Sequence, residues 1–288
     1  MAFTGSTTGF CIFEATAPKD FEPIHGNAFT DAIDGEGNRS GWVGLGNPLD
    51  TDFATGIAHG AFAAFSLRVD TRKAPGAAVN LQLAEAVQKE LASGKKVSGK
   101  RRKELKEAIV ATLTSKAEFV PSLTDCLWDL SRDRLLVSVS SVKAALSVLT
   151  CIKATFGFEP TPVVPKTDIS ALFARLFHEE LQCDDWALAF LGSASLASPA
   201  QGEDKAAVTV LNNPGAVGTA LNEGLGIQKL LLSASRDDMQ LCFNLDAALA
   251  VSGLKLPKAE KGADADADFL LKADVCATVA MLVEKLAA

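Results

Sequence analysis

The chain has 288 residues, 48% of them hydrophobic and 22% charged, and its 28 Lys and Arg face 35 Asp and Glu for a formal net charge of −7. That much apolar surface excludes global disorder, because burying it offsets the conformational entropy lost on folding. The acidic balance excludes a uniformly basic nucleic-acid binder but permits a local basic site, since net charge averages over faces that a ligand meets one at a time.

Residues 8–16, with their aromatic and β-branched side chains, predict a first strand. Residues 20–58 are rich in Gly, Asn and Asp and read as loop, anchored by Gly41-Trp42-Val43. Residues 60–69 predict a second strand, broken at Ala74-Pro75-Gly76. Helical spacing of Val79, Leu83, Ala86, Val87 and Leu91 predicts a helix that Ser93-Gly94 ends. A second helix is expected from about Lys100 to Phe119, with Leu105, Ile109, Thr112 and Leu113 on one face. The two form a helical hairpin whose narrow apolar stripes predict a projecting arm. Strands follow at Leu123–Leu130 and Arg134–Val139 across the turn Ser131-Arg132-Asp133. Ser141 is expected to cap a helix to Phe156, with Val142, Ala145, Leu146, Leu149 and Ile152 inward. Pro160 to Pro165 reads as a stiff, extended linker and a domain boundary. Beyond it, Asp168 caps a helix ending near Glu180. Strands are predicted at Trp186–Leu191, Ala207–Leu211, Ile227–Ser235 and Met239–Leu245, with a short helix around Gly215–Leu221. Asp237-Asp238 reads as a tight turn. The acidic stretch Ala263–Asp268 precedes a terminal helix, Phe269–Leu286.

Strands and helices cluster without regular βαβ alternation, which predicts an α+β fold. A central mixed α/β region of 1–76 and 119–165 would carry the helical hairpin, or finger, at 77–118, and a second α+β base domain would occupy 166–288.

No apolar run of 18 residues occurs, and Met1 to Gly5 has neither the basic nor the apolar region of a leader; a cytoplasmic location is expected and no membrane contact. Six cysteines stand singly without C-x-x-C spacing and read as buried free thiols. His25, His59 and His178 share no metal-ligand spacing. The glycine-rich Gly41–Gly46 stretch lacks a strand-loop-helix setting and reads as a turn cluster, and Ser93-x-x-Lys96 has no companion motif. The acids Glu179, Glu180, Asp184 and Asp185, and Asp264, Asp266 and Asp268, form local clusters that read as helix-end and loop acids. A two-metal nuclease site needs carboxylates converging from separate elements. No catalytic residue, metal site or cofactor is expected.

The charge distribution is more informative. Lys95, Lys96, Lys100, Arg101, Arg102, Lys103 and Lys106 fall within twelve residues opposed only by Glu104, a local balance of +6 that leaves −13 for the rest of the chain. Such a tip attracts polyanions and releases counterions from a phosphate backbone without reading bases. A solvated helix face is the plainer reading of a charge run.

The order and spacing of several segments resemble the RdgC family of recombination-associated proteins. They are Phe29-Thr30 with Gly41-Trp42-Val43 downstream, Lys116-Ala117 after the finger, Trp128-Asp129 before Leu135-Leu136-Val137, Gly226 to Leu230 with Leu241-Cys242-Phe243, and Asp266 to Leu271 before a terminal helix. The resemblance spans about Phe10 to the C-terminus. It implies a nucleoid-associated homodimeric ring that encircles double-stranded DNA without sequence preference and opposes RecA, meeting RecA–DNA filaments only indirectly. It also implies support for the basic tip from Arg68, Arg72, Lys73, Lys116 and Lys229, and a dimer contact near Phe119. This sequence departs from the family pattern in a Gly/Asn-rich N-terminal insertion, in Glu118 where the family has an aromatic, and in 192–205, which match no family segment. The competing readings are a metal-dependent exonuclease using the C-terminal acids and a protein-interaction module that does not touch DNA.

Overall fold

The computed structural model describes residues 2–35, 37–198, 207–258 and 264–288. In chain order the elements are β1 (Thr7–Glu14), α1 (Glu22–Gly26), β2 (Arg39–Val43), β3 (Ala58–His59), β4 (Phe62–Arg72), α2 (Gly76–Ala92), α3 (Gly99–Lys116), β5 (Phe119–Asp129) and β6 (Arg134–Val137). A 3₁₀ turn (Val142–Ala145) leads into α4 (Leu146–Phe156). Then come β7 (Thr161–Pro162), α5 (Ile169–His178), β8 (Leu181–Cys183), β9 (Trp186–Ala197), β10 (Ala207–Val210), α6 (Pro214–Asn222), β11 (Gly226–Arg236), β12 (Met239–Asp246), β13 (Val251–Lys255) and α7 (Ala265–Leu286). The fold is α+β, as expected.

One sheet runs through the described residues in the order β10-β9-β11-β12-β13-β1-β6-β5-β4-β2, with β3, β7 and β8 paired at its margins. All its ladders are antiparallel. Strand β1 is the seam. Its first half pairs with β13 (Thr8 opposite Leu254), and its second half pairs with β6 (Ile12 opposite Leu136) and β7 (Phe13 opposite Pro162). The register shifts at Gly9, where a Cβ would stand 2.9 Å from the Val251 carbonyl oxygen, so glycine lets the strands approach at this bulge.

Alternation along the central strands supplies two cores, one on each face. Phe10, Ile12, Phe62, Ala64, Leu127 and Leu136 join α5, α7 and the later strands in one core. Cys11, Phe13, Ala63, Phe65, Leu67, Cys126, Trp128 and Val137 join Ile24 of α1 and Val148, Leu149 and Ile152 of α4 in the other. Buried indoles still find partners: Trp128 Nε1 donates to the Ala15 carbonyl at 2.9 Å and Trp42 Nε1 to Thr155 Oγ1 at 2.8 Å.

Several expectations need correction. The 20–58 segment contains α1 and β2. The finger helix stops at Lys116, and Phe119 begins β5, which starts four residues before the predicted strand. Strand β6 ends at Val137, two residues early. Ser141 does cap, its hydroxyl accepting from Ala144 N, but the first turn is 3₁₀; Leu146 is exposed and Val148 takes its inward place. A 3₁₀ turn advances about 120° per residue against 100° in an α-helix, so four residues rotate the apolar face away from its expected phase. The proline segment is extended but pairs with β1 through Thr161 and Pro162. Strands β8 and β13 were not anticipated. Of the unmatched 192–205 segment, β9 takes residues up to Ala197; 199–205 lie outside the described residues, as does Ala263 of the acidic stretch.

Candidate nucleic-acid interface

The finger is α2 and α3 joined by the connector 93–98. Ser98 caps α3 by accepting from Arg101 N. Leu105, Ile109 and Leu113 on α3 are half-buried and Val79 and Leu83 on α2 are buried, which gives the hairpin a thin apolar seam. Thr112, expected on that face, is exposed, with its hydroxyl turned back to the Ala108 carbonyl at 2.9 Å. No residue of α3 is buried, so nearly all of its circumference faces water.

The tip cations divide into two groups. Arg101 is engaged: its Nε and Nη2 donate to Glu90 on α2, the closer contact at 2.8 Å, and its Nη1 reaches Glu104 at 3.2 Å. Those bonds hold the Glu90 carboxyl below its usual range and raise the Arg101 guanidinium. Lys103 lies 3.9 Å from Glu107, a loose and fully solvated pair of little energetic weight. Lys95, Lys96, Lys100, Arg102 and Lys106 have no carboxylate within 4.0 Å among the described residues.

A second basic group gathers at the finger root, about 24 Å from the tip along α3 at 1.5 Å per residue. Arg72 donates to the Ser115 carbonyl at 3.5 Å; Lys73 and Lys116 are exposed beside it. Arg72 and Phe119 face each other across β4 and β5. The Arg72 guanidinium carbon stands 4.3 Å from the Phe119 ring centroid, and that of Arg39, on β2, stands 4.0 Å from it. Phe119 is therefore engaged by two guanidinium groups of its own chain. Arg39 also pairs with Asp31 at 2.6 Å. Its role was not read from the sequence; nothing in the 20–58 composition marks it, and only its register on β2 brings it near β5.

Arg68 is committed elsewhere. Its Nε and Nη2 form a two-point pair with Asp70 at 2.8 and 2.7 Å, its Nη1 donates to the Pro48 carbonyl at 2.8 Å, and it stacks 3.9 Å over Phe29. Lys229, half-buried on β11, stands opposite Asp246 of β12. Five strand spacings separate β11 from β5, about 24 Å along the sheet at about 4.8 Å each, so Lys229 lies well away from the finger root.

The acidic clusters disperse into local partnerships. Asp268 holds Lys272 at 2.7 Å, Asp266 lies 3.7 Å from His59, Glu179 pairs with Arg175 and Asp184 with Lys285. Among the described residues no group of three or more His, Cys, Asp or Glu could hold a metal ion, and no helix is long and apolar enough to cross a membrane. The six cysteines are free thiols.

A comparison with curated proteins finds no match. The family model described as "Putative exonuclease, RdgC" matches residues 16–287, nearly the whole chain. With strand order, finger and basic tip in place, that match assigns the chain to a family: it belongs to the RdgC family.

Proposed function

We propose that the chain is a sequence-nonspecific double-stranded DNA-binding protein of recombination, working in the nucleoid as a homodimeric ring around the duplex and opposing RecA by occupying it. The observation that carries this reading is the set of tip cations without carboxylate partners on an otherwise acidic chain; membership of the RdgC family supports it. An acidic surface repels the phosphate backbone wherever cations are not provided, which confines contact to chosen points. In this reading 1–76 with 119–165 form the central domain, 77–118 the finger and 166–288 the base. Lys95, Lys96, Lys100, Arg102, Lys103 and Lys106 meet phosphates at the tip, Arg72, Lys73 and Lys116 at the root, and Lys229 from the base. Arg68 supports the site from behind, through its pair with Asp70. A self-contact at Phe119 uses the part of the ring that Arg39 and Arg72 leave exposed. Encirclement adds retention that weak, salt-sensitive contacts lack singly.

The test is anisotropy on a short duplex of arbitrary sequence across a salt series, beside retention on linear and circular DNA. Six tip contacts predict a slope of log K against log salt of about −5, at about −0.9 per phosphate. Dimers are expected to stay on circles and leave free ends. Salt-independent binding, or binding unchanged when Lys100, Arg102 and Lys106 become Gln, overturns the proposal. The family description supplies the second reading, an exonuclease. Loss of duplex during incubation with magnesium, abolished by Asp266→Ala, would favour it.

A further inference from the structure

Arg101 stands apart from the other tip cations in where it points. It begins the i, i+4 row of Leu105, Ile109 and Leu113, the half-buried residues through which α3 meets α2. Side chains four apart share a helix face, so the row directs Arg101 toward α2 as it does the leucines. Lys100, Arg102, Lys103 and Lys106 fall outside the row. Opposite Arg101 on α2, Glu90 is half-buried and lies one turn from the helix end. Its Oε1 accepts from both Nε at 3.1 Å and Nη2 at 2.8 Å, and Glu104 occupies Nη1. Every nitrogen of the guanidinium is thus directed at a carboxylate. The Glu90 carbonyl also accepts from Ser93 Oγ at 2.7 Å and from Lys95 N at 3.1 Å, so the same residue that holds Arg101 closes the end of α2 and starts the connector. The seam between the helices is thin, and α3 buries no residue. An apolar interface that small leaves the angle between the helices weakly specified, and a planar, two-point ion pair supplies what packing does not.

We infer that Arg101 is a positioning residue: its ion pair with Glu90 fixes the connector and the spread of the neighbouring cations, and Arg101 itself makes no phosphate contact. This rests on the proposed DNA-binding reading and divides the basic run into one structural cation and its phosphate-facing neighbours.

Two measurements on the full chain separate the roles. In the salt series, Arg102→Gln is expected to lower the slope by about 0.9, the value of one phosphate contact. Arg101→Gln is expected to weaken binding with the slope unchanged, and the exchanged pair Glu90→Arg with Arg101→Glu to recover most of the affinity. In amide hydrogen exchange without DNA, Arg101→Gln is expected to speed exchange across 93–103, whereas Arg102→Gln leaves it as in the parent. The inference is overturned if Arg101→Gln lowers the slope as much as Arg102→Gln, or if the two variants exchange alike. If the parent chain does not bind DNA, the DNA-binding reading fails on that result alone, and hydrogen exchange still decides whether Arg101 holds the connector.

Discussion

Arg134 on β6 donates to Glu284 on α7 at 2.8 Å across 150 residues of sequence. The pair ties the start of the β6 ladder to the last turns of the C-terminal helix, and Glu14 of β1 lies 3.9 Å from the same guanidinium. The Lys166 amide donates to the Ala287 carbonyl at 2.8 Å nearby. The N-terminal strands and the C-terminal helix are thereby locked at one corner.

Arg134→Gln is expected to destabilise the chain by about 1 kcal/mol, as the pair is only partly shielded from water. That corresponds to a fall in Tm of about 2–4 °C. A double-mutant cycle with Glu284→Gln measures the coupling directly; zero coupling would mean the two side chains contribute independently.

Gly41 is required by close approach. A Cβ there would fall on the Phe29 backbone. Gly41→Ala is therefore expected to cost about 1–3 kcal/mol in urea unfolding, the usual range for overpacking. It should also displace Phe29 from beneath Arg68. Stability equal to the parent would show that the loop bearing Phe29 yields freely.

The helix after Ser141 offers a test of phase. Leu146→Lys is expected to change stability by no more than about 0.5 kcal/mol, because Leu146 is 56% exposed. Ile152→Ala, at 0% exposure, should cost about 2–5 kcal/mol. Comparable losses at both sites would contradict the 3₁₀ entry.

Burial, with a lesser push from Asp246, raises the Cys11 thiol from its ordinary 9.0 to about 11. Between those values the unfolded chain releases a proton that the folded chain keeps. Stability that is full below pH 9 is therefore lost as pH rises toward about 11. Burial moves Cys126, Cys151, Cys183 and Cys276 in the same direction. The urea midpoint is expected to fall across that window, and to fall less in Cys11→Ala than in the parent. Equal falls in the two proteins would remove Cys11 from the alkaline response.

The parts of the fold that were legible in the sequence have local causes. Val79, Leu83 and Val87 repeat at helical spacing, Asp168 caps α5 as expected, and Asp237-Asp238 turns tightly, with Asp237 at φ 49°. What was missed depends on distant partners. The strand expected from Leu123 runs back through Pro121, which sits inside β5 opposite Asp70. Strand β6 pairs only with Cys126–Asp129, so β5 has a free side at Pro121 and needs no amide there. β13 is five residues with a positive-φ glycine, Gly253, and becomes a strand because β1 and β12 lie on either side. At the site, the basic run was visible as a run, but the engagement of Arg101 depends on Glu90 on the other helix, and only the α2–α3 packing settles that pairing; Arg68 and Asp70, two apart on one face of β4, form a local pair that the sequence spacing already allows.

The seam strand sets the timing of assembly. β1 is made before its partners, which are β6, β7 and finally β13, whose last residue is Lys255. At about 5–20 residues per second, on the order of ten to fifty seconds separate the synthesis of Glu14 from that of Lys255. Throughout that interval the Phe10 and Ile12 side of β1 lacks the α7 surface that covers it in the finished fold. The half of β1 that β13 completes, Thr7 to Phe10, thus stays without that partner long after β6 and β7 have been made, a natural target for a chaperone at the exit tunnel.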